Sequence, residues 1–314
     1  LVKIENLKKD FPYSKKDTHN GLRIIDLFAG IGGMRLAFQN QSCHCVFSSE
    51  FDKYCQKTYY ANFGEYPEGD INDFVPAKDT IPNHDILLAG FPCQAFSYAG
   101  LKKGFEDTRG TLFFDIARII NHHKPKAFLL ENVKGLRSHD NGRTLHTIIK
   151  TLNSMNYNLF VDVLNAKDFG LPQNRERIFI IGFKSLVNFE FPAPPKIETR
   201  LGNILHKNPS NKLTISNKIW ASHKKRKKRA KEKGYGFGYS LFDRESEYTS
   251  TISARYYKDG SEILIGQKNK NPRMLSPREA ARLQGFPDNF VIPVSNGQAY
   301  KQFGNSVSVN VIRA

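Results

Sequence analysis

The chain has 314 residues, and its 47 Lys and Arg against 30 Asp and Glu give a formal net charge of +17. A positive surplus of this size favours a polyanionic partner such as nucleic acid. Hydrophobic residues make up 39% of the sequence and charged residues 25%, which excludes a disordered, collagen-like or coiled-coil chain. The length accommodates two domains, or one large domain with an added lobe.

No apolar stretch approaches the roughly 18 residues of a membrane span, and residues 1–20 are polar and charged. We therefore expect an intracellular protein that makes no membrane contact. The four cysteines predict no disulfide framework. Cys43-His44-Cys45 lacks the wide paired spacing of a structural zinc site, so we expect a buried strand there and no metal.

Short apolar runs alternate with longer amphipathic stretches over the first half of the chain. This alternation predicts an α/β fold in which helices flank a parallel sheet. The predicted strands are residues 23–28, 44–49, 85–89, 127–130 and 177–183. The predicted helices are residues 33–40, 53–63, 111–123 and 142–156.

The composition changes at the stiff segment Pro192-Ala-Pro-Pro195, where we expect a second lobe to begin. The predicted organisation is an N-terminal extension (1–21), a core (22–191) completed by residues 298–314, and a lobe with its hinge between them (192–297). The lobe holds a basic run at 223–233, a predicted hairpin about Asp259-Gly260 and a predicted helix at 277–284. A helical pattern begins after Gly304-Asn-Ser306, shortly before Ala314, so the sequence leaves open whether the chain continues beyond that residue.

The first predicted strand leads into the glycine-rich turn Phe28-Ala-Gly-Ile-Gly-Gly33, which brings backbone N–H groups close to a nucleotide-like ligand. Glu50 ends the next strand, where a carboxylate can accept hydrogen bonds from ribose hydroxyls. Either feature alone fits a tight turn or a surface carboxylate equally well, but together they favour a ligand site. The absence of G-x-G-x-x-G spacing disfavours a dinucleotide.

Three further segments could carry chemistry, and the two that follow the third and fourth strands would lie at one edge of the sheet. Cys93 follows the third strand in a Gly/Pro turn and is a candidate nucleophile. Glu131 ends the fourth strand and is a candidate acid. Arg175 and Arg177 share one side of an extended segment and could hold a carboxylate, a carbonyl or phosphates. Taken singly, each is also compatible with an inert turn cysteine or a solvated charge.

Six motifs stand in the order found in DNA (cytosine-5) methyltransferases, and the sequence resembles that family from residue 22 to 314. The second lobe resembles the Dcm-like bacterial branch, the methylases of type II restriction-modification systems. The motifs are Phe28–Gly33, Pro92-Cys-Gln94, Glu131-Asn-Val133, Gln173-Asn-Arg-Glu-Arg177, Pro277-Arg-Glu279 with Gln284-Gly-Phe-Pro287, and Gln302-Phe-Gly-Asn-Ser-Val307.

The resemblance implies a Rossmann-like S-adenosylmethionine-dependent methyltransferase core with a smaller target-recognition lobe. It implies that Cys93 adds to C6 of cytosine, that Glu131 binds N3 and the exocyclic amine, and that Arg177 holds Glu131 and the base O2. The catalytic residues so implied are Pro92, Cys93, Gln94, Glu131, Arg175 and Arg177. The cofactor-binding residues so implied are Phe28, Ala29, Gly30, Ile31, Gly32, Gly33, Glu50, Phe51, Asp70, Ile71, Leu112 and Asn305.

The implied partner is double-stranded DNA, whose target cytosine must be flipped out of the helix. We expect methylation of the inner cytosine of a CCNGG-, CCWGG- or CCGG-like site by a cytoplasmic, nucleoid-associated monomer, beside a cognate endonuclease that it does not bind. The basic run at 224–233 fits phosphate contact, a solvated helix face or a flexible insert. The predicted DNA-binding residues are Ser97, Lys102, Lys103, Thr251, Arg255, Tyr256, Tyr257 and Lys258.

Three alternative functions remain open from the sequence. An RNA (tRNA) cytosine-5 methyltransferase could share the Pro-Cys-Gln chemistry, although the long basic lobe favours DNA. A catalytically silent DNA-binding module is disfavoured because Cys93, Glu131, Arg175 and Arg177 are all present. A nicotinamide dehydrogenase is disfavoured by the glycine spacing.

Overall fold

The computed structural model describes residues 11–13, 21–39, 42–74, 80–91, 112–236 and 238–314. Among these residues, no helix is both long and apolar enough to span a bilayer.

A six-stranded sheet with strand order β2-β1-β3-β4-β6-β5 forms the centre of the described fold. Its strands are β1 (Leu22–Leu27), β2 (Cys43–Ser49), β3 (Ile86–Gly90), β4 (Ala127–Val133), β5 (Asn158–Asn165) and β6 (Glu176–Phe183). The five predicted strands are therefore confirmed, with small shifts at their ends.

The prediction of a parallel sheet is wrong for one strand, β6. Strands β1 to β4 are parallel, whereas β6 runs antiparallel to both β4 and β5. Strand β5 was not predicted, since it is the half-exposed edge strand and carries no continuous apolar run. Only a short connection joins β5 to β6, and such a connection permits antiparallel pairing alone.

Helices cover both faces of the sheet. They are α1 (Gly33–Gln39), α2 (Lys53–Phe63), α3 (Leu112–His123) and α4 (Arg143–Asn153), which confirms the four predicted helices. Residues of α3 and α4 form one hydrophobic cluster with β3 and β4, while α1 and α2 belong to a second cluster on the other face. The side chain of Asp52 caps the amino end of α2.

The rest of the chain adds a small sheet and further helices. They are β7 (Leu241–Phe242), β8 (Leu264–Gln267), β9 (Lys270–Arg273), α5 (Asn217–Glu232), α6 (Pro277–Leu283), α7 (Asn296–Asn305) and α8 (Val309–Arg313). The helix predicted at 277–284 is thus confirmed. The α1 and α2 cluster continues through Leu201, Ile252 and Val309, so the lobe boundaries at 191 and 298 stay predictions.

The hairpin predicted about Asp259-Gly260 is wrong. Residues 254–259 form consecutive turns, and the N–H of Gly260 donates to the carbonyl of Tyr256 at 3.0 Å. The observed hairpin joins β8 to β9 further along the chain, and Asn269 adopts the positive φ that its turn requires. The Asp-Gly pair was misleading because Gly260, at φ +65°, closes a turn of helical type instead.

Candidate active site

A cavity of about 680 Å³ opens at the carboxyl edge of the parallel strands. The glycine-rich turn after β1, Glu50 after β2 and Glu131 in β4 all line it. The parallel strands bring these residues together because their carboxyl ends share one edge. Arg175 and Arg177 reach the same edge because β6 is antiparallel and begins where β4 ends.

The glycine-rich turn is closed by its own backbone. The N–H of Gly32 donates to the carbonyl of Ala29 at 2.8 Å, and the N–H of Ala29 donates to Ser49 of β2 at 2.9 Å. Gly30 has φ +56°, and a Cβ placed there would meet no atom within 4 Å. The turn therefore leaves open space over Gly30, on the side of the cavity.

Gly32 is not among the residues that line the cavity, so its predicted contact with a cofactor stays a prediction. A Cβ at Gly32 would lie 2.3 Å from Cε2 of Phe63, and φ is +84°. Glycine is required there by packing against α2 and by the backbone conformation. The other predicted cofactor residues all line the cavity: Phe28, Ala29, Gly30, Ile31, Gly33, Glu50, Phe51, Asp70, Ile71, Leu112 and Asn305.

Both carboxylate oxygens of Glu50 are held by backbone N–H groups. Oε2 accepts from Gly30 at 2.8 Å, and Oε1 accepts from Asp52 at 2.8 Å. Burial raises the pKa of Glu50 above its ordinary value, although these backbone bonds oppose the rise. The side chain is only 9% exposed, so its predicted alternative as a surface carboxylate is wrong.

Two other predicted cofactor residues stand at the outer rim of the cavity. The ring of Phe51 is 70% exposed, which leaves a large apolar surface next to Glu50. Asp70 caps the short turn Ile71–Asp73, and its Oδ1 accepts from the N–H and the side-chain amide of Asn72. A flat apolar ligand group could lie against Phe51 with polar groups close by.

Glu131 and Arg177 form an ion pair on the cavity wall. Nε of Arg177 lies 3.1 Å from Oε1 of Glu131, and both side chains are mostly buried. Burial raises the pKa of the Glu131 carboxyl, and the positive charges of Arg177 and Arg175 oppose that rise. The carboxyl is therefore poised to exchange a proton more readily near neutral pH than an exposed glutamate.

Arg175 also lines the cavity, but its terminal nitrogens bind three backbone carbonyls. Nη1 donates to Ile252 at 3.1 Å, and Nη2 donates to Gly304 at 3.1 Å and to Ser306 at 2.7 Å. Its Nε is buried without a hydrogen-bond partner. Arg175 thus joins β6 to two distant segments, and its predicted contact with substrate stays a prediction.

The predicted residues Pro92, Cys93, Gln94, Ser97, Lys102 and Lys103 lie outside the described residues. The structure does describe the segment that leads to them. The side-chain amide of Asn132, which is 2% exposed, donates to the carbonyl of Phe91 at 2.8 Å. Asn132, the neighbour of Glu131 in β4, therefore holds Phe91, the residue that precedes Pro92.

Several cavity residues were missed by the sequence analysis. They are Asp26, Ser49, Asp52, Cys55, Asn72, Lys301, Gln302, Ser306 and Val307. Lys301 Nζ lies 2.8 Å from Oδ2 of Asp52, so α7 is tied to the capped end of α2. Gln302, Ser306 and Val307 belong to a recognised motif, and that position could have indicated that they line the cavity. Nothing in the sequence indicates that Lys301 pairs with Asp52.

Comparison with known proteins identifies the family. A family model described as C-5 cytosine-specific DNA methylase matches residues 22–314. The chain belongs to this family. It is 60% identical over 309 residues to the type II methyltransferase M1.ScrFI of Lactococcus lactis subsp. cremoris, covering 96% of this chain and 79% of that protein. It is 60% identical over 296 residues to M.NlaX of Neisseria lactamica, covering 93% and 94%.

The fold agrees with that assignment. The crystal structure of the S. pombe Dnmt2 methyltransferase matches with a TM-score of 0.76 at 19% identity, covering 94% of this chain and 96% of that one. This similarity shows the Rossmann-like methyltransferase fold of the methylase. The protein is therefore a DNA cytosine-5 methyltransferase related to the type II restriction-modification enzymes.

The residues predicted to contact DNA divide into exposed and buried members. Arg255, Tyr257 and Lys258 of the methylase are exposed on the turn 254–259. The hydroxyl of Thr251 donates to the carbonyl of Asn174 at 2.6 Å. These four residues stay predicted DNA contacts.

The prediction that Tyr256 reads bases is contradicted by its burial. Its side chain is 0% exposed, and its hydroxyl donates to the carbonyl of Ile263 and accepts from the N–H of Leu275, both at 2.7 Å. The ring packs edge-on against Tyr300. Tyr256 is therefore an anchor of the turn 254–259, the predicted recognition turn, and has no surface left for a base.

The basic run at 224–233 forms most of α5 and is exposed along the helix. His223 is the buried residue of that helix. The flexible-insert alternative is thus wrong, and the run is a helical basic surface. In the described part of the methylase, no group of three or more His, Cys, Asp or Glu could hold a metal ion.

Proposed function

We propose that this methylase transfers a methyl group from S-adenosylmethionine to C5 of a flipped-out cytosine in a short duplex site, through a transient bond between Cys93 and C6. One observation carries the proposal: the glycine-rich turn with Glu50 and the Glu131–Arg177 pair line the same cavity. A methyl donor and a cytosine bound at these two groups would lie side by side.

The residues of the cavity fit S-adenosylmethionine. The open space over Gly30 admits a ligand close to the backbone, Glu50 can accept from ribose hydroxyls, and the exposed ring of Phe51 can stack on adenine. Oδ2 of Asp26 and Oγ of Ser49 are buried without hydrogen-bond partners and line the same cavity. When bound, the cofactor supplies an electrophilic methyl group.

The described cysteines are poor nucleophiles, which supports Cys93. Burial raises the pKa of Cys43, of Cys45 to about 11, and of Cys55 well beyond its ordinary value. Their thiols stay protonated at neutral pH, and the thiolate is the reactive form. Cys93 follows directly on the segment that Asn132 fixes beside Glu131.

The proposed reaction uses the Glu131–Arg177 pair as its acid. The Cys93 thiolate forms a bond to C6, and the electron pair displaced from the C5–C6 double bond moves toward N3 and leaves C5 enamine-like. Glu131 delivers or shares a proton at N3, while Arg177 orients the carboxyl and binds O2. After methylation, a base removes the C5 proton, the electron pair of that C–H bond restores the C5–C6 double bond and expels the Cys93 thiolate, and N3 returns its proton to Glu131.

Further parts of the proposal concern the substrate and its context. The target is the inner cytosine of a CCNGG-, CCWGG- or CCGG-like duplex, bound by a monomer. The exposed cations of α5 provide sequence-independent phosphate contacts. In the cell, the modification would protect host DNA from a separate cognate endonuclease.

A duplex that carries 5-fluorocytosine tests the covalent step. Fluorine cannot leave C5 as a cation, so we expect a cofactor-dependent covalent complex for the wild type and none for Cys93→Ser. Cys55→Ser is the matched control, since Cys55 lines the cavity but is not the proposed nucleophile. Bisulfite sequencing of a plasmid from expressing cells identifies the site. Trapping by Cys93→Ser would overturn the assignment.

A further inference from the structure

The basic helix α5 is attached to the recognition turn by one cluster of hydrogen bonds. Nη1 of Arg226 lies 3.0 Å from Oδ2 of Asp259. Nη2 of Arg226 lies 3.0 Å from Nδ1 of His223, and Nε2 of His223 lies 3.1 Å from the carbonyl of Asp259. A guanidinium has only donors, so Nδ1 of His223 accepts a hydrogen bond from Arg226. Nε2 of His223 is therefore protonated and donates to the backbone carbonyl of Asp259.

The histidine of this cluster is protected from water, whereas the Arg226–Asp259 ion pair is partly exposed. The side chain of His223 is 2% exposed, although it lies within a helix whose other described residues are exposed or half-buried. The ring of Tyr239 lies 6.3 Å from that of His223 and also contacts Trp220 at the start of the helix. The contact between α5 and Asp259 therefore has a packed side at His223 and a partly exposed side at Arg226.

The turn that receives α5 is fixed from within. The N–H of Arg255 donates to Oγ of Ser253, and the N–H of Ser261 donates to Oδ1 of Asp259 at 3.0 Å. The buried hydroxyl of Tyr256 anchors the middle of the turn. Arg255, Tyr257 and Lys258 thus project from a frame that does not need to reorganise on binding.

The two joined elements carry different kinds of contact. Helix α5 has 16 residues and is about 24 Å long, and its dense row of cations is suited to neutralising phosphates. The turn exposes the guanidinium of Arg255, the phenol of Tyr257 and the ammonium group of Lys258. The guanidinium and the phenol are directional hydrogen-bond donors, as recognition of base edges requires. The cations of the helix are Lys218, Lys224, Lys225, Arg226, Lys227, Lys228, Arg229 and Lys231.

We propose that Arg226, His223 and Asp259 form a clamp that sets the recognition turn relative to the phosphate-binding helix. Phosphate contact by α5 then places Arg255, Tyr257 and Lys258 at one fixed register over the bases. Arg226 and Asp259 are positioning residues and need not touch a base. This inference rests on the proposed methylation of a specific duplex site.

The clamp and simple electrostatics predict different effects of Asp259→Asn on the discrimination between DNA sites. Removal of a negative charge from a basic surface should strengthen binding to any DNA if charge alone matters. If the clamp matters, the same variant loses discrimination between the correct site and a site with one altered base pair. The asparagine is isosteric and its side-chain oxygen can still accept from the N–H of Ser261, so the fold is preserved.

Arg226→Gln and Lys228→Gln form a matched pair. Each removes one positive charge from α5, but Lys228 makes no recorded contact with Asp259 in the described structure. A charge that contacts phosphate contributes about one unit to the slope of log affinity against log salt. We expect Lys228→Gln to lower that slope and leave the site preference unchanged.

The experiment compares kcat/KM on the mapped site with kcat/KM on duplexes that carry one altered base pair. We expect Arg226→Gln and Asp259→Asn to lower this ratio by about tenfold, the scale of one lost base contact, while Lys228→Gln keeps it. Equal ratios in all four proteins, or an equal loss in Lys228→Gln, would overturn the clamp. Failure of the wild type to methylate DNA would instead refute the proposed function, and the clamp with it.

Discussion

Nε of Arg177 lies 3.1 Å from Oε1 of Glu131, although the two residues belong to strands that run in opposite directions. In the register of β4 and β6, Arg177 stands opposite Val133, two residues beyond Glu131. The guanidinium therefore approaches the carboxylate diagonally across the strand pair. A buried carboxyl with one close cation and a raised pKa can act as an acid without losing its orientation.

Glu131→Gln should abolish most turnover while the cofactor still binds. The amide keeps the shape of the side chain but has no acidic proton to deliver, and general acid catalysis contributes roughly 10²–10⁴-fold. We expect a rate loss of that size in single-turnover methylation and an unchanged dissociation constant for S-adenosylmethionine. Glu176→Gln is the control, because Glu176 adjoins Arg177 but pairs with Lys134 at the surface. Equal losses in both variants would contradict the role of Glu131.

The position of this pair was predictable only in part. The parallel sheet expected from the sequence would have placed the start of β6 at the edge opposite to Glu131, and only the motif order indicated that Arg177 meets it. The direction of β6 depends on the unpredicted edge strand β5. The chain turns back after β5, so that β6 runs antiparallel to it and to β4. Local apolar runs carry no information about strand direction.

The recognition turn shows a second limit of sequence reasoning. Tyr256 and Tyr257 are adjacent and chemically identical, yet one is 0% and the other 47% exposed. The difference arises from Leu275 and Tyr300, which bind and pack against Tyr256 from later in the chain. Long-range packing of this kind leaves no local pattern, whereas the strands and helices of the core were predictable from periodicity.

Asp26 should make the stability of the protein depend on pH. Burial raises the pKa of its carboxyl from 3.8 to about 8, so between these values the folded state retains a proton that the unfolded state releases. The free energy of unfolding should then fall as pH rises, by about 1.4 kcal/mol per pH unit from this group. Asp26→Asn should flatten that slope in urea denaturation at pH 5, 6 and 7.

Ser49→Ala controls for a general change of the cavity wall, since Ser49 is a buried neighbour that does not titrate. Any change in its unfolding free energy should be the same at every pH, so the slope against pH should match that of the wild type. An Asp26→Asn protein that retained the wild-type slope would show that another group binds the proton.

Gln284 should be required for stability although it does not line the cavity. It is 0% exposed, its Nε2 donates to Phe303 at 2.7 Å, and its Oε1 accepts from Gln173 and from Ser308. Gln284→Met leaves these partners without their hydrogen bonds, and each buried group left unsatisfied lowers the free energy of unfolding by about 1–3 kcal/mol. We expect the unfolding free energy to drop by about 3 kcal/mol or more in urea denaturation.

Gln298→Met is the matched substitution for Gln284→Met. Oε1 of Gln298 is buried without a hydrogen-bond partner, so replacement by an apolar side chain of similar size loses no bond at that atom. We expect a change of less than about 1 kcal/mol, or a gain in stability. A similar large loss in both variants would indicate that side-chain shape, and not the hydrogen-bonded junction, determines the result.

Lys301→Met should weaken cofactor binding without unfolding the site. Nζ of Lys301 lies 2.8 Å from Oδ2 of Asp52, whose N–H in turn donates to Oε1 of Glu50. The pair is partly exposed, and such pairs contribute about 0.2–1 kcal/mol, so the dissociation constant of S-adenosylmethionine should rise by about two- to fivefold in calorimetry. Lys53→Met removes an exposed lysine from the first turn of α2 and should leave that constant unchanged. If the two variants weakened binding equally, the loss of positive charge near the cavity would explain the effect, and the contact with Asp52 would not.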